Sequence, residues 1–244
     1  MKYPHLNEER KLWNKGYNFV AGLDEAGRGP LAGPVVAAAV ILKLRNCKLT
    51  ENCKLKIENW GVKDSKQLTE KQREKFYKIL TKHPQIKWGI GVVSEKIIDK
   101  INILEATKLA MQKAIKDLDA KADFLILDGN FSIRKAQSPL KADITRMRPR
   151  EYDKYDLIPQ KSVVRGDEKV FSCAAASIIA KVTRDRMMLK YDKKYPNYGF
   201  KRHKGYPTKA HFANLEKFGP CQIHRKSFIH TPLFFNKAKN VKIN

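Results

Sequence analysis

Between Tyr17 and Leu42 the chain is largely apolar, yet two adjacent carboxylates, Asp24 and Glu25, interrupt it and are followed by Gly27-Arg28-Gly29. No other stretch restricts the fold as much. Tyr17–Leu23 and Val35–Leu42 read as two core strands joined by a Gly/Pro-rich turn. A strand interior offers a carboxylate no water, and two neighbouring carboxylates repel each other. Desolvating them is costly unless something positive compensates. Either the acids merely end the first strand and open the turn, or they await a metal ion.

The rest of the chain alternates strand and helix patterns. Thr69–Thr81 carries Phe76, Ile79 and Leu80 at helical spacing, with Thr69 as its cap. Trp88–Val93 is a short strand. Ser94 then caps a long helical pattern with Ile97, Ile98, Ile101, Leu104, Met111, Ile115 and Leu118, its charged positions from Glu95 to Lys100 facing water. Asp123–Leu127 is a buried strand ending in Asp128-Gly129, and Ser162–Val164 is another, ending in Arg165-Gly166-Asp167. FSCAAASIIAKVTRDRMMLKY, small and apolar on one side and basic on the other, is the strongest helix. Residues 43–60 are a charged, irregular connection. From Tyr195 onward, His, Gly, Pro, Lys and aromatics mark a compact appendage. Strands alternating with helices indicate an α/β layer fold.

Asp24 and Glu25 close one of these strands, Asp128 closes another, and Asp167 closes a third or opens the next helix. In α/β sheets such strand ends meet in one crevice. Hard divalent cations favour carboxylate oxygens. Two such ions about 4 Å apart can activate water and stabilise the leaving oxygen of a phosphodiester. Each acid alone reads as a turn residue or cap; jointly they read as a metal site.

Charge points to the same chemistry. Fifty Lys and Arg against 25 Asp and Glu leave a formal charge of +25, spread along the whole chain. That excess favours a polyanionic partner, nucleic acid ahead of an anionic membrane surface. Cys47, Cys53, Cys173 and Cys221 form no close pair, consistent with a reduced, intracellular protein. The start, MKYPHLNEERK, has no apolar core of signal-peptide length, and the longest apolar run, Val35–Leu42, is too short for a bilayer. The expectation is a soluble, cytoplasmic protein without membrane contact.

GLDEAGRGPLAGPVVAAAVIL, GVKDSKQLTEKQRE, INILEATKLAM, LILDGN, VVRGD, SCAAASIIAKVTRD, HKGYPT and CQIHRKSF occur in this order between Gly22 and Phe228. Together they closely resemble the blocks of bacterial ribonuclease HII. The resemblance implies a ribonuclease H-like fold, a central mixed sheet flanked by helices, over residues 1–194, with a small helical C-terminal lobe over 195–244. It implies an endonuclease that cuts RNA in RNA–DNA hybrids and cuts 5′ of single ribonucleotides in duplex DNA, leaving 3′-hydroxyl and 5′-phosphate ends. It further implies two Mg²⁺ or Mn²⁺ ions, a monomer, and an Asp-Glu-Asp-Asp tetrad at Asp24, Glu25, Asp128 and Asp167. The Gly-Arg-Gly element that contacts the ribonucleotide falls on Gly27, Arg28 and Gly29. The sugar-stacking tyrosine falls on Tyr206, and the lysine near the phosphates on Lys66.

The physics suits these roles. Glycines let backbone approach a ribose, and a 2′-OH offers both a donor and an acceptor. An aromatic ring on a sugar or base gives affinity indifferent to sequence. The chain also departs from the family. Asp167 lies 39 positions after Asp128, a longer gap than usual, and the added stretch holds Asp143, Asp153 and Asp156. Asp167 remains the expected fourth ligand because Val163–Asp167 directly precedes the Ala-rich helix. Asp185, at that helix's far end, reads as a surface ion pair. His203, His211, Cys221 and His224 are too irregularly spaced for a zinc set. TPLFF, Thr231–Phe235, loosely resembles a sliding-clamp-binding tail, although adjacent aromatics near a terminus more often pack on their own domain.

Overall fold

Every residue of Val35–Leu42 is buried, the mark of a strand covered on both faces. The computed structural model describes residues 3–43, 61, 62, 64–133 and 157–229. In chain order its elements are α1 (Asn7–Asn14), β1 (Val20–Ala26), β2 (Val35–Leu42), a 3₁₀ turn (Ser65–Gln67), α2 (Glu70–Lys82) and β3 (Ile86–Val93). Then come α3 (Glu95–Asp117), β4 (Phe124–Asp128), β5 (Gln160–Val163), α4 (Gly166–Lys169) and α5 (Phe171–Lys194). The short helices α6 (Phe200–His203), α7 (Lys209–Phe218) and α8 (Lys226–Ile229) follow. The 44–60 connection, the acids Asp143, Asp153 and Asp156, and the TPLFF tail lie outside the described residues.

The strands form one mixed sheet in the order β3-β2-β1-β4-β5. β2 runs antiparallel to both β1 and β3, whereas β1–β4 and β4–β5 are parallel. Because side chains alternate along a strand, β2 splits between two cores. Ala38, Val40 and Leu42 join Phe171, Ala174–Ala176, Ile178 and Ile179 of α5. Val35, Ala37, Ala39 and Ile41 join Ile98, Ala106, Ala110 and Met111 of α3. The alanines keep both helices close to the sheet. Among the described residues no helix is long and apolar enough to cross a membrane.

Local chemistry sets the element ends. Thr69 opens α2 with a capping box: its hydroxyl accepts from the Gln72 N–H at 3.3 Å, and the Gln72 side chain accepts from the Thr69 N–H at 2.9 Å. Ser94 occupies the cap position of α3 without a side-chain cap bond, and Glu95 is buried where the sequence suggested solvent. α3 is also broken at Asn102 (φ 65°), whose side chain accepts from the Glu105 N–H at 3.1 Å and so caps the helix afresh. Past α5, Tyr198, Phe200, Leu215, Ile223 and Ile229 pack with Met188 of α5 and with Ala32 of the β1–β2 turn.

One close helix–sheet approach lies at β3. A Cβ added at Gly91 would stand 1.8 Å from the Ala110 carbonyl oxygen of α3. Rigid helix backbone cannot yield as a side chain can. Gly91→Ala is therefore expected to lower stability by at least about 2 kcal/mol, roughly 5 °C in Tm. Thermal denaturation followed by circular dichroism measures this, and an unchanged Tm would contradict the packing.

Candidate active site

Register, not sequence proximity, assembles the acids. β1 and β4 run parallel with Leu23 beside Leu127, so the next residues along each strand, Asp24 and Asp128, come side by side on the α5 face of the sheet. β1 continues through Asp24 and Glu25 to Ala26, pairing them with Ala38 and Ala37. The acids thus lie within the strand, where the sequence suggested its end. Strand alternation turns Glu25 away from that face, yet its carboxylate stays near enough for Asp24, Asp128 and Lys66 to interact with it. The parallel partner β5 sets Val163 beside Asp128. The chain then turns through Arg165 in a left-handed conformation (φ 58°, ψ 47°) and enters α4 at Gly166 and Asp167.

Carboxylate oxygens of Asp24, Asp128 and Asp167 lie within 4.8 Å of one another. Glu25 is not part of that set; its Oε1 takes the Arg28 guanidinium at 3.4 Å, while its buried Oε2 finds no partner among the described residues. Backbone amides hold the acids in place. The Gly166 N–H donates to Asp128 Oδ1 and the Glu25 N–H to Asp24 Oδ1, both at 2.7 Å. Ser177 of α5 bonds Asp24 and lies 2.8 Å from Ser65 of the 3₁₀ turn. Lys66, on that turn, reaches Asp167 at 3.3 Å.

Burial, then mutual repulsion, lifts these carboxyls above the ordinary range. Desolvation, Glu25 and Asp128 push Asp24 well up; desolvation and Asp167 raise Asp128. Desolvation also brings Glu25 to about 7, with the Arg28 charge opposing it. Asp167 is raised by desolvation and by Asp64, while Lys66 pulls it back. Desolvation works against the Lys66 ammonium, but Asp167 and Asp64 hold it above the usual lysine range. Like charges crowded together with a partnerless oxygen suit a hard divalent cation.

The other expected site residues gather nearby. Gly27 (φ 100°), Arg28 and Gly29 follow β1 directly, and a Cβ at Gly29 would lie 4.0 Å from the Tyr206 ring. Tyr206 keeps 37% of its surface exposed. Asp185 pairs with Lys181 at 2.6 Å but is largely buried, not on the surface. His211 and His224 bond each other at 3.1 Å, and their other nitrogens meet the Tyr206 carbonyl and the Cys221 N–H at 2.9 Å. Those bonds occupy the ring nitrogens that a zinc ion would need.

Sequence reasoning passed over Asp64 and Ser177. Asp64 is buried, lies near enough to Asp167 to raise its pKa, and caps the 3₁₀ turn by accepting from the Lys66 N–H at 2.9 Å. Its signal was available in Asp-Ser-Lys, where an aspartate two residues before an amide donor makes an Asx turn. Ser177 lies on the buried stripe of α5, where its hydroxyl reads as mere filler between alanines.

A sign follows for stability. Acids whose folded pKa is raised stabilise the fold fully below their unfolded values, and lose that contribution as pH rises, for Glu25 through about 7. Burial depresses His211 and His224 to about 4; they work oppositely, contributing above the unfolded histidine range and failing as pH falls toward 4. A divalent cation isolates the first effect. Mg²⁺ or Mn²⁺ is expected to raise Tm more at about pH 7.5 than at about pH 5. Asp24→Asn should raise the metal-free Tm at the higher pH and shrink the metal increment. Equal metal increments at both pH values would contradict the cluster.

With this geometry in view, comparison with known proteins is specific. A family model described as Ribonuclease HII matches residues 21–231. Ribonuclease HII of Chlamydia caviae is 48% identical over 220 residues, covering 90% of this chain and 88% of that one. Among solved structures, the ribonuclease H2 of Pyrococcus horikoshii is similar at TM-score 0.61 and 29% identity, over 93% of this chain and all of that one. A PCNA:RNase HII complex from Archaeoglobus fulgidus is similar at TM-score 0.62 and 27% identity, over 85% of this chain and 94% of that one. Nearly half the residues shared across nine-tenths of the chain is more than a common fold: the chain belongs to the ribonuclease HII family.

Proposed function

We propose that the pocket of Asp24, Asp128 and Asp167, adjoined by Glu25, hydrolyses the RNA strand of RNA–DNA hybrids and cuts 5′ of single ribonucleotides in duplex DNA. One observation carries this reading: carboxylates from three separate segments meet within 4.8 Å at neighbouring parallel strands in a chain of charge +25. A nucleic-acid groove lined with bare carboxylates would repel its ligand unless metal intervenes.

Asp24, Asp128 and Asp167 would hold Mg²⁺ or Mn²⁺, with Glu25 near enough for its charge to act on Asp24 and for Asp128 to act on it. Bound there, two such ions supply an activated water for attack on phosphorus and charge neutralisation at the departing 3′ oxygen. The protein's own groups do the rest. Amides of Glu25 and Gly166 orient two of the carboxylates, and Lys66 beside Asp167 offers a cation to the phosphates. Gly27–Gly29 can approach a ribose closely, and Tyr206 next to them supplies a face for the adjoining sugar. The basic surface supplies affinity that falls steeply with salt.

Residues 195–244 would act as the lobe presenting Tyr206. A sliding-clamp contact through Thr231–Phe235 belongs to the same proposal; its support is that one similar structure is titled a PCNA:RNase HII complex.

The test is a DNA duplex containing one ribonucleotide, incubated with Mg²⁺ or Mn²⁺ beside an all-DNA control. A single cut 5′ of the ribonucleotide, with 3′-hydroxyl and 5′-phosphate ends, is expected only in the first. Asp24→Asn should lower cleavage by at least about 1,000-fold while leaving duplex binding nearly intact. Cleavage of both duplexes alike, or an active Asp24→Asn, would overturn the reading.

A further inference from the structure

Two arginines, Arg184 of α5 and Arg225 just before α8, are fully buried. Every hydrogen bond they donate among the described residues goes to a backbone carbonyl. Arg184 donates through Nε to Pro34 at 3.0 Å, through Nη1 to Lys204 at 2.9 Å and through Nη2 to Ala32 at 3.1 Å. Arg225 donates through Nε to Gly33 at 2.9 Å, through Nη1 to Arg28 at 3.0 Å and through Nη2 to Gly27 at 2.6 Å. Together the two forks hold most of the carbonyls of the β1–β2 loop, and one beside Tyr206.

A buried cation without a carboxylate is an expensive way to fill space. Apolar residues of similar volume often serve stability as well or better. The arrangement instead fixes direction. No peptide among the described residues is cis, and in a trans peptide the C=O and N–H point opposite ways. With the Gly27 and Arg28 carbonyls drawn in to Arg225, the N–H groups of Arg28 and Gly29 point outward, where both residues are exposed. Arg184 reaches the second reading element too, its guanidinium carbon 5.7 Å from the Tyr206 ring centroid. Gly27 accommodates this, since a Cβ there would stand 2.1 Å from Arg184 Nε.

We propose that Arg184 and Arg225 are positioning residues for ribonucleotide recognition. They lock the outward amides of Arg28 and Gly29 and the ring of Tyr206 into one fixed relation, although both arginines are sealed from the nucleic acid. This rests on the proposed role of Gly27–Gly29 and Tyr206.

Arg225→Lys and Arg184→Lys each keep the charge and remove the fork. For either folded variant, kcat/KM on a single-ribonucleotide duplex should fall about 100-fold. Affinity for an all-DNA duplex, set by the exposed basic surface, should change by less than about threefold. A lysine variant that melts earlier yet keeps wild-type selectivity would overturn the proposal. Hydrogen exchange on the unaltered protein is independent of variant folding. The amides of Arg28 and Gly29 should exchange fast, and those of Leu31, Gly33 and Arg225, bonded at 2.8 Å, slowly. Protected Arg28 and Gly29 amides would equally overturn it. Wild-type protein that cuts hybrids but ignores the single ribonucleotide would sink the loop's reading role, and this inference with it, before any variant is compared.

Discussion

Three carboxylates share one buried corner of the sheet, and their mutual repulsion is the constraint to which the rest of the structure answers. A flexible chain would relieve it by moving the acids apart. Here each is fixed by an element that cannot move alone. Asp24 and Asp128 project from adjacent parallel strands in one register, and Asp167 is set by a left-handed turn at Arg165 that the helix following it holds in place. A non-glycine residue in that conformation costs energy and persists only where its surroundings over-determine it. Around the acids stand donors of fixed direction: the amides of Glu25 and Gly166, the Ser177 hydroxyl and the Lys66 ammonium.

That rigidity comes from the two-sided core. β2 gives alternate residues to α3 and α5, so neither helix can shift without opening an apolar face. Small residues make the contact close enough to carry polar groups. Gly22 of β1 touches Ser172, where even a Cβ would stand 2.3 Å from its hydroxyl, and one turn and a half further along α5 Ser177 reaches Asp24. The alanines between them leave room for the helix to lie on the strands bearing the acids. Packing and electrostatics are thus served by the same surface of α5.

Much of this was legible in the sequence, because the signals were local. An unbroken apolar run marks β2 with its correct ends, and Thr69 marks the start of α2, where the structure adds Gln72 to complete a capping box. The acids stood out because carboxylates in an apolar run have few explanations. What escaped depends on partners distant in sequence. Asp24 and Glu25 interrupt the apolar pattern, so the strand appeared to stop where it continues; pairing with Ala38 and Ala37 carries it on. The break at Asn102 leaves no trace in periodicity, because the apolar positions resume beyond it. Arg184 falls on the buried stripe with Cys173, Ser177, Ala180 and Met188, which was its one visible signal, yet a basic residue in a basic chain reads as solvated. Arg225 gives no such hint, since its role is fixed by the carbonyls of a loop some two hundred residues away.

The two kinds of buried charge are best understood together. The acids crowd together, which disfavours their charged forms and suits the pocket to a cation. The arginines stay charged and are satisfied by carbonyls alone, so they leave their positive charge beneath the loop that follows β1. From the acids the chain passes through Glu25 and Ala26 directly into that loop, and Arg28 turns back onto Glu25. A phosphate chain lying across both would meet backbone donors backed by positive charge on one side and a carboxylate pocket on the other. On the proposed function, a carboxylate pocket in a protein with a basic surface would repel bare nucleic acid, and a divalent cation would reverse that sign. On the same proposed function, a ribose reader in the loop that follows the strand bearing Asp24 would couple recognition to cutting without a moving part.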